Sequence, residues 1–193
     1  MGIPTFFRKI INQYPNTHHW NQNENISHLF IDFNCLIYQA YRLLPEKTTL
    51  KNIEKELIKE VINYLAKVCN EIAKPKKLLY LAFDGTVPRA KMMEQRKRRY
   101  KGLKIEEFDD YLDRKYRNEK NNINKNTKSS IWNPSIHIVP GSRFMNNLSI
   151  EIHKAAQKGK FKVKKVILSD SSVPGEGEHK FISYIRGLKK NNI

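Results

Sequence analysis

The sequence contains little cysteine and no long hydrophobic run. Its two cysteines, Cys35 and Cys69, both lie in segments with an apolar pattern, so neither a disulfide framework nor a zinc site has support. No uninterrupted apolar stretch approaches the roughly 20 residues of a membrane-spanning helix, and the N-terminus lacks a signal-peptide pattern. We therefore expect a soluble intracellular protein, cytoplasmic or nuclear and not secreted, with no membrane partner.

Acidic residues are also scarce. The chain has 19 Asp and Glu against 36 Lys and Arg, which gives a formal net charge of +17. Such an excess points to nucleic acid as a partner. The alternative is compositional, because Lys and Asn are so frequent that the base composition of the genome could supply much of the excess. Charge alone therefore favours nucleic acid only slightly.

The length of the chain limits the number of domains. Its 193 residues, 39% hydrophobic and 28% charged, predict one folded domain covering 1–193. The stretch 118–130, NEKNNINKNTKSS, is almost entirely polar. It predicts a mobile surface insertion within that domain, not a domain boundary.

Three short apolar runs, each of which leads into an aspartate, predict three strands. These runs are SHLFIDFN (27–34), KKLLYLAFDG (76–85) and KVKKVILSDSS (162–172). Periodicity and helix-forming residues predict four helices, at 50–73, 88 to about 117, 149–158 and 176–188. The alternation of strands with helices predicts an α/β fold with a mostly parallel central sheet flanked by helices.

Acidic side chains follow the predicted strands. Ligands of open α/β sheets bind at the carboxyl ends of the strands, so we predict that Asp32, Asp84 and Asp170 converge there. Glu176 and Glu178 follow a Pro-Gly turn and can reach the same edge. For each residue alone the alternative is local, because aspartates often cap helices or form turns, and the helix dipole favours acids in a first turn by about 1 kcal/mol or less.

The whole set of acids favours a metal site. Four or five carboxylates crowded at one edge repel each other by more than the helix dipole can offset. Divalent cations can offset that repulsion, and oxygen-only ligands select Mg²⁺ or Mn²⁺ over zinc. A pair of such ions, about 4 Å apart, suits phosphoryl transfer.

The predicted helix that starts at 88 is strongly basic. Lys91, Gln95 and Arg98 share one face and Arg99 flanks it, whereas Met93 and Tyr100 lie opposite. We predict that the helix docks by its apolar stripe and presents its cations beside the acidic edge, where Arg suits phosphate oxygens. A solvated charged face is the alternative.

Taken together, these stretches resemble the N-terminal conserved region of the XRN family of 5'-to-3' exoribonucleases. The matching blocks occur in the order of the family and span nearly the whole chain. They are MGIPTFFRKI (1–10), LFIDFN (29–34), AFDGTVPRAKMMEQRKRR (82–99), PGSRFM (140–145) and SDSSVPGEGEHKFISYIR (169–186). The resemblance implies a PIN/flap-endonuclease-like fold and hydrolysis of RNA from its 5' end to nucleoside monophosphates, with a metal-activated water as nucleophile.

The resemblance also implies roles for ten residues. Asp32, Asp84, Glu176 and Glu178, here called the acidic set, correspond to catalytic magnesium-binding residues. Lys91, Gln95, Arg98 and Arg99, here called the basic set, correspond to a pocket for the 5'-monophosphate of single-stranded RNA. Asn34 is expected beside the metal ligands, on the substrate side of the site. Tyr38 occupies the position of a base-stacking histidine, and a tyrosine can also stack on a base.

One departure from the family leaves alternatives open. Family members continue past the EGEHK helix into another strand, whose aspartate cluster completes the metal site. That strand is not in this sequence, so the sheet is expected to be incomplete at one edge and the metal site to lack ligands. The chain is then an active exoribonuclease or the N-terminal piece of one, a catalytically dead RNA 5'-end-binding module, or half of a split nuclease completed by a second chain. A DNA substrate, as in flap-endonuclease relatives, is a weaker alternative.

Overall fold

The computed structural model of the chain describes residues 5–15, 25–45, 52–116 and 132–190. In chain order its elements are α1 (Phe6–Gln13), β1 (His28–Asp32), α2 (Phe33–Leu43), α3 (Ile53–Lys67) with a π-helical extension (Val68–Ala73), β2 (Leu78–Ala82), α4 (Arg89–Tyr116), α5 (Pro134–His137), α6 (Arg143–Gln157), β3 (Lys165–Ser169) and α7 (Gly177–Lys190). The predicted insertion at 118–130 lies outside the described residues. No helix within those ranges is both long and apolar enough to cross a bilayer.

The three strands form one parallel sheet in the order β1-β2-β3. All five residues of β2 are buried, whereas β1 and β3 are partly exposed. Continuous burial is typical of a central parallel strand that is covered by helices on both faces. The predicted α/β fold, a parallel sheet flanked by helices of the PIN-like kind, is confirmed. The sheet is open, since neither β1 nor β3 has a second strand partner in the described part of the chain.

Each face of the sheet has its own apolar core. The larger core packs side chains of α2, α3 and α6, among them Ile37, Leu57 and Leu148, against one face. On the opposite face, α7 packs Phe181 and Tyr184 against aromatic side chains of β1 and β2. Because α7 begins shortly after β3 ends, its first turn lies at the carboxyl edge of the sheet. The acids of that turn are thereby brought to the strand ends.

The helix α2 is not predicted from the sequence. It begins at Phe33, directly after β1 ends, so the apolar run of the strand continues without a break into the first turn of the helix. Its buried residues have the spacing of a helix, but they are few and follow no turn signal. They are Phe33, Leu36, Ile37 and Ala40. The short helices α1 and α5 are also missed.

Two predicted helices have different bounds in the structure. The segment 50–73 is α-helical only over Ile53–Lys67, and a π-helical turn carries it to Ala73, where Lys74 takes a left-handed conformation with φ 47°. The helix predicted to begin at Ser149 begins at Arg143 instead. Its N-cap is Ser142, whose Oγ accepts a hydrogen bond from the backbone N–H of Met145 at 3.2 Å.

The loops that follow β2 and β3 are hydrogen-bonded to each other. The N–H of Gly85 donates to the carbonyl of Gly175, and the N–H of Gly175 donates to the carbonyl of Thr86, both at 2.8 Å. A Cβ on Gly85 would lie 1.9 Å from the carbonyl oxygen of Val173. Because the obstructing atom belongs to the backbone, only glycine fits this position.

We expect Gly85→Ala to destabilise the fold by about 1–3 kcal/mol or more, since neither loop can move away without breaking the paired hydrogen bonds. Gly102→Ala is the matched control. A Cβ at Gly102, inside α4, meets no atom within 4 Å, so this variant should be neutral or more stable by up to about 1 kcal/mol. Urea denaturation measures both. Equal stabilities of the two variants would contradict the close packing of the loops.

Candidate active site

Residues from three distant parts of the chain meet at the carboxyl edge of the sheet. Asp32 is the last residue of β1, and Asp84 follows β2 by two residues. The backbone N–H of Gly177, the first residue of α7, donates to Oδ1 of Asp84 at 3.0 Å. A Cβ on Gly177 would lie 3.1 Å from Oδ1 of Asp32. Glu176 and Glu178 flank Gly177, so all four members of the acidic set belong to one cluster of backbone segments.

Asn34 connects two of these segments. From the first turn of α2, its Nδ2 donates to Oδ2 of Asp84 at 2.7 Å. Both carboxylate oxygens of Asp84 therefore have donors and a fixed orientation. In contrast, the buried atoms Oδ1 of Asp32 and Oδ1 of Asn34 accept no hydrogen bond. Buried oxygens without a partner are costly, and here both are available to a ligand.

The electrostatics at Asp32 favour a cation. Burial raises the pKa of Asp32 above its ordinary value of 3.8, and the charges of Asp84 and Glu178 raise it further. The same groups act on Cys35, whose thiol donates to Oδ2 of Asp32 at 3.8 Å and whose pKa is raised first by burial and then by Asp32. A negative charge at Asp32 is thus disfavoured by its surroundings unless a positive charge is added.

The donor chemistry of the acidic set and Asn34 fits Mg²⁺ or Mn²⁺, because the available atoms are carboxylate and amide oxygens. The number of donors is smaller than such an ion requires. Within the described ranges, no three His, Cys, Asp or Glu side chains are placed so that they could hold one ion. One reason is that Glu176 points to α4, where its Oε1 lies 3.2 Å from Nζ of Lys91.

The helix α4 presents cations beside the acidic set, as predicted, but its apolar side chains are not the ones that dock. Met93 and Tyr100 are 57% and 63% exposed, whereas Lys91, Gln95 and Arg99 are half-buried. The prediction that the helix docks by an apolar stripe is therefore wrong. The inward face of α4 contacts the acidic set, where Lys91 pairs with Glu176.

Arginines of α4 lie near both Tyr38 and the acidic set. Burial raises the pKa of Tyr38, while the charges of Arg99 and Arg98 lower it. Burial lowers the pKa of Arg99, and the charge of Asp84 raises it. Tyr38 is 39% exposed, so part of its ring is open to a ligand. The structure thus brings Tyr38 and the arginines of the basic set to the side of the acidic set.

Asp170 does not join the acidic set, which corrects the prediction that three strand-end aspartates converge. Its Oδ1 accepts from the N–H and the Oγ of Ser172, at 2.9 Å and 2.5 Å, and its Oδ2 accepts from Oγ of Ser149 at 3.3 Å. These bonds, chiefly that from the Ser172 side chain, lower the pKa of Asp170 despite its partial burial. The local alternative, a turn-forming aspartate, holds for this residue.

Sequence reasoning missed the contribution of Lys180, a buried residue of the first turns of α7. Its Nζ donates to the carbonyl oxygens of Phe83 at 2.6 Å and Asp170 at 2.8 Å. Burial lowers the pKa of Lys180, and the charges of Asp170 and Asp84 raise it. One feature of the sequence could have identified this lysine. It follows Glu176 by four residues, which places it about one helical turn from the acids.

At pH 7 without divalent cations, Asp32→Asn should be more stable than the wild type. The pKa of Asp32 is raised by folding, so between 3.8 and that raised value the folded state binds more protons than the unfolded state. The free energy of unfolding of the wild type therefore falls as pH rises through this window, and the gap between the two proteins closes as pH is lowered toward 3.8. Urea denaturation in EDTA across this range measures the gap.

The control is Asp109→Asn, which removes an exposed carboxylate from α4. At pH 7 the free energy of unfolding of this variant should lie within about 0.5 kcal/mol of the wild type, as is usual for surface substitutions. A wild type that is more stable than Asp32→Asn at pH 7 in EDTA would show that the carboxylate is not under strain from its surroundings.

Comparison with known proteins identifies the family of this chain. The whole chain, 1–193, matches the family described as XRN 5'-3' exonuclease N-terminus. It is 30% identical to 5'-3' exoribonuclease 2 of Candida glabrata over 219 residues and 33% identical to 5'-3' exoribonuclease 1 of Schizosaccharomyces pombe over 197 residues. These alignments cover 98% of this chain but only 21% and 14% of the two relatives, so the chain spans less than a quarter of their length. The chain belongs to the XRN 5'-3' exonuclease N-terminus family.

Proposed function

We propose that this chain is the N-terminal part, 1–193, of the nuclease domain of a magnesium-dependent 5'-to-3' exoribonuclease. Its substrate is single-stranded RNA with a 5'-monophosphate, and its products are nucleoside monophosphates. The observation that carries the proposal is the contact between the two predicted sets, in which Lys91 of the basic set lies 3.2 Å from Glu176 of the acidic set. The names of the relatives supply the reaction, and RNA as substrate implies a cytoplasmic or nuclear location.

The acidic set is assigned to metal binding. Asp32 offers a buried oxygen without a partner, and Asp84 is held in place by Asn34 and the N–H of Gly177. Glu176 and Glu178 lie on either side of that glycine. Mg²⁺ or Mn²⁺ bound there would supply an activated water and neutralise charge on the scissile phosphate.

The basic set and Tyr38 are assigned to the 5' end of the RNA. Lys91, Gln95 and Arg99 face inward on α4, and Arg98 adds a second guanidinium beside Tyr38. Guanidinium groups suit a terminal phosphate because they donate two parallel hydrogen bonds to its oxygens. Tyr38 would stack on the first base with its exposed face. A net charge of +17 attracts the polyanion from a distance.

A second candidate function is capture of RNA 5' ends without turnover. It is favoured by the finding that no three ligating side chains in the described residues could hold one ion. Further carboxylates from a second chain, or from more of a longer polypeptide, would convert the binding module into an enzyme. Within the described residues the outer edge of β3 pairs with no other strand, and it lies beside a groove of about 340 Å³ at the end of α6, so an added strand could pair there.

The test compares RNAs that carry a 5'-monophosphate or a 5'-hydroxyl, each incubated with the chain in Mg²⁺ or in EDTA. We expect decay of the monophosphorylated RNA in Mg²⁺ only. Asp84→Ala should reduce it to the EDTA background. Arg98→Ala should mainly erase the preference for the monophosphate, by about 10- to 100-fold, which corresponds to the loss of a charge-assisted hydrogen bond. A DNA oligonucleotide of the same sequence tests the weaker alternative.

Lys97→Ala is the control, because Lys97 is an exposed cation of the same helix outside the basic set. It should keep the preference of the wild type. Equal decay of both RNAs would contradict the proposed substrate. Salt-sensitive binding of the monophosphorylated RNA with no decay in Mg²⁺ would establish the second candidate instead.

Lys91 has two competing partners under this proposal, the carboxylate of Glu176 and the RNA phosphate. Lys91→Met should therefore change two affinities in opposite directions. Mn²⁺ affinity should rise a few-fold because Glu176 is released from a partly exposed ion pair, while the preference for the 5'-monophosphate should fall. Calorimetry and a competition assay with the two RNAs measure these changes, with Lys97→Met as the control. A loss of Mn²⁺ affinity in Lys91→Met would contradict the competition.

A further inference from the structure

Lys180 is a buried charged residue, with 7% of its surface exposed. A buried ammonium group costs several kcal/mol of desolvation, which apolar side chains of similar length do not incur. It is tolerated only where it gains strong hydrogen bonds. The position of those bonds therefore indicates what the lysine does.

The Lys180 ammonium donates to two backbone carbonyl groups near the acidic set. One acceptor is the carbonyl of Phe83, which directly precedes Asp84, and the distance is 2.6 Å. The other is the carbonyl of Asp170, at 2.8 Å, where the loop leading to Glu176 begins. The lysine itself follows Glu178 by two residues. Its side chain thus joins three backbone segments: the one that carries Asp84, the turn at Asp170, and the start of α7 with Glu176 and Glu178.

The Lys180 side chain lies against two neighbouring glycines. A Cβ on Gly85 would lie 3.3 Å from Nζ of Lys180, and a Cβ on Gly175 would lie 3.9 Å from its Cγ. These two glycines also form the hydrogen bonds between the loops. The lysine and the paired loops therefore constitute one rigid support beneath the acidic set.

We propose that Lys180 is a positioning residue, whose ammonium group sets the separation between Asp84 and the two glutamates and so determines divalent-cation affinity. This inference rests on the proposed metal-binding role of the acidic set. It goes beyond that role because Lys180 has no metal-ligating atom of its own and acts only through the two carbonyl groups.

The test is Mn²⁺ affinity, measured by calorimetry on the whole chain of 193 residues, for the wild type and Lys180→Met. Methionine keeps the length of the side chain but donates no hydrogen bond. We expect the affinity to fall about tenfold or more, as for other groups that support metal ligands. The direction of the change in Mn²⁺ affinity is diagnostic, because loss of a positive charge next to carboxylates would by itself raise the affinity for a cation.

Two controls separate positioning from loss of folding. Leu65→Ala opens a cavity in the larger core, on α3, and should keep wild-type Mn²⁺ affinity at temperatures where near-UV circular dichroism shows it folded. Lys180→Ala should regain affinity with added ethylamine but not with ethanol, because only the amine restores a cationic donor. Unchanged or tighter Mn²⁺ binding by folded Lys180→Met, or no rescue by the amine, would overturn the inference.

If Lys180→Met does not fold, the wild type still decides the question. The ¹⁵N resonance of the Lys180 ammonium should shift during Mg²⁺ titration with the midpoint measured by calorimetry, and a resonance that does not move while Mg²⁺ binds would overturn the inference. No Mn²⁺ or Mg²⁺ binding by the wild type would instead contradict the proposed function. The two failures are therefore distinguishable.

Discussion

The close approach of α7 to the carboxyl edge of the sheet is the constraint on which the site depends. At Gly177, a Cβ would lie 3.1 Å from both the carbonyl oxygen of Ala82 and Oδ1 of Asp32, so a side chain there would press on the ends of both strands. The N–H of the same glycine donates to Asp84. One backbone position thus holds the ends of two strands and places a glutamate on each side of them. Negative charge is concentrated at this edge because the four carboxylates are brought together there.

That concentration explains the arrangement of the positive groups. Lys180 neutralises the site from inside, by way of buried carbonyl oxygens, whereas Lys91 does so from outside through Glu176. Neither lysine reaches the buried Oδ1 of Asp32, which has no partner. The inner cation is fixed by burial and the outer one is partly exposed and exchangeable. We therefore propose that Lys180 supports the acidic set and that Lys91 binds the ligand.

The main features of the fold were predictable because apolar runs identify buried parallel strands, and all three strands lie within their predicted segments. The start of α2 was not predictable, because no turn separates this helix from β1. The face by which α4 docks was mispredicted because periodicity identifies two faces of a helix but not the face that contacts the rest of the protein. Likewise, the position of Asp170 after its strand does not show whether its carboxylate binds a metal or accepts hydrogen bonds from Ser172. Lys180 was missed since burial of a lysine depends on tertiary contacts.

The central claim is that Asp32, Asp84, Glu176 and Glu178 share divalent cations. The most direct measurement is anomalous diffraction from crystals of the chain grown with Mn²⁺. The account predicts a manganese peak within about 2.0–2.3 Å of Oδ1 of Asp32, with Glu176 turned away from Lys91 toward the ion. Manganese bound only elsewhere, with Oδ1 of Asp32 without a ligand and the Lys91–Glu176 pair intact, would contradict it.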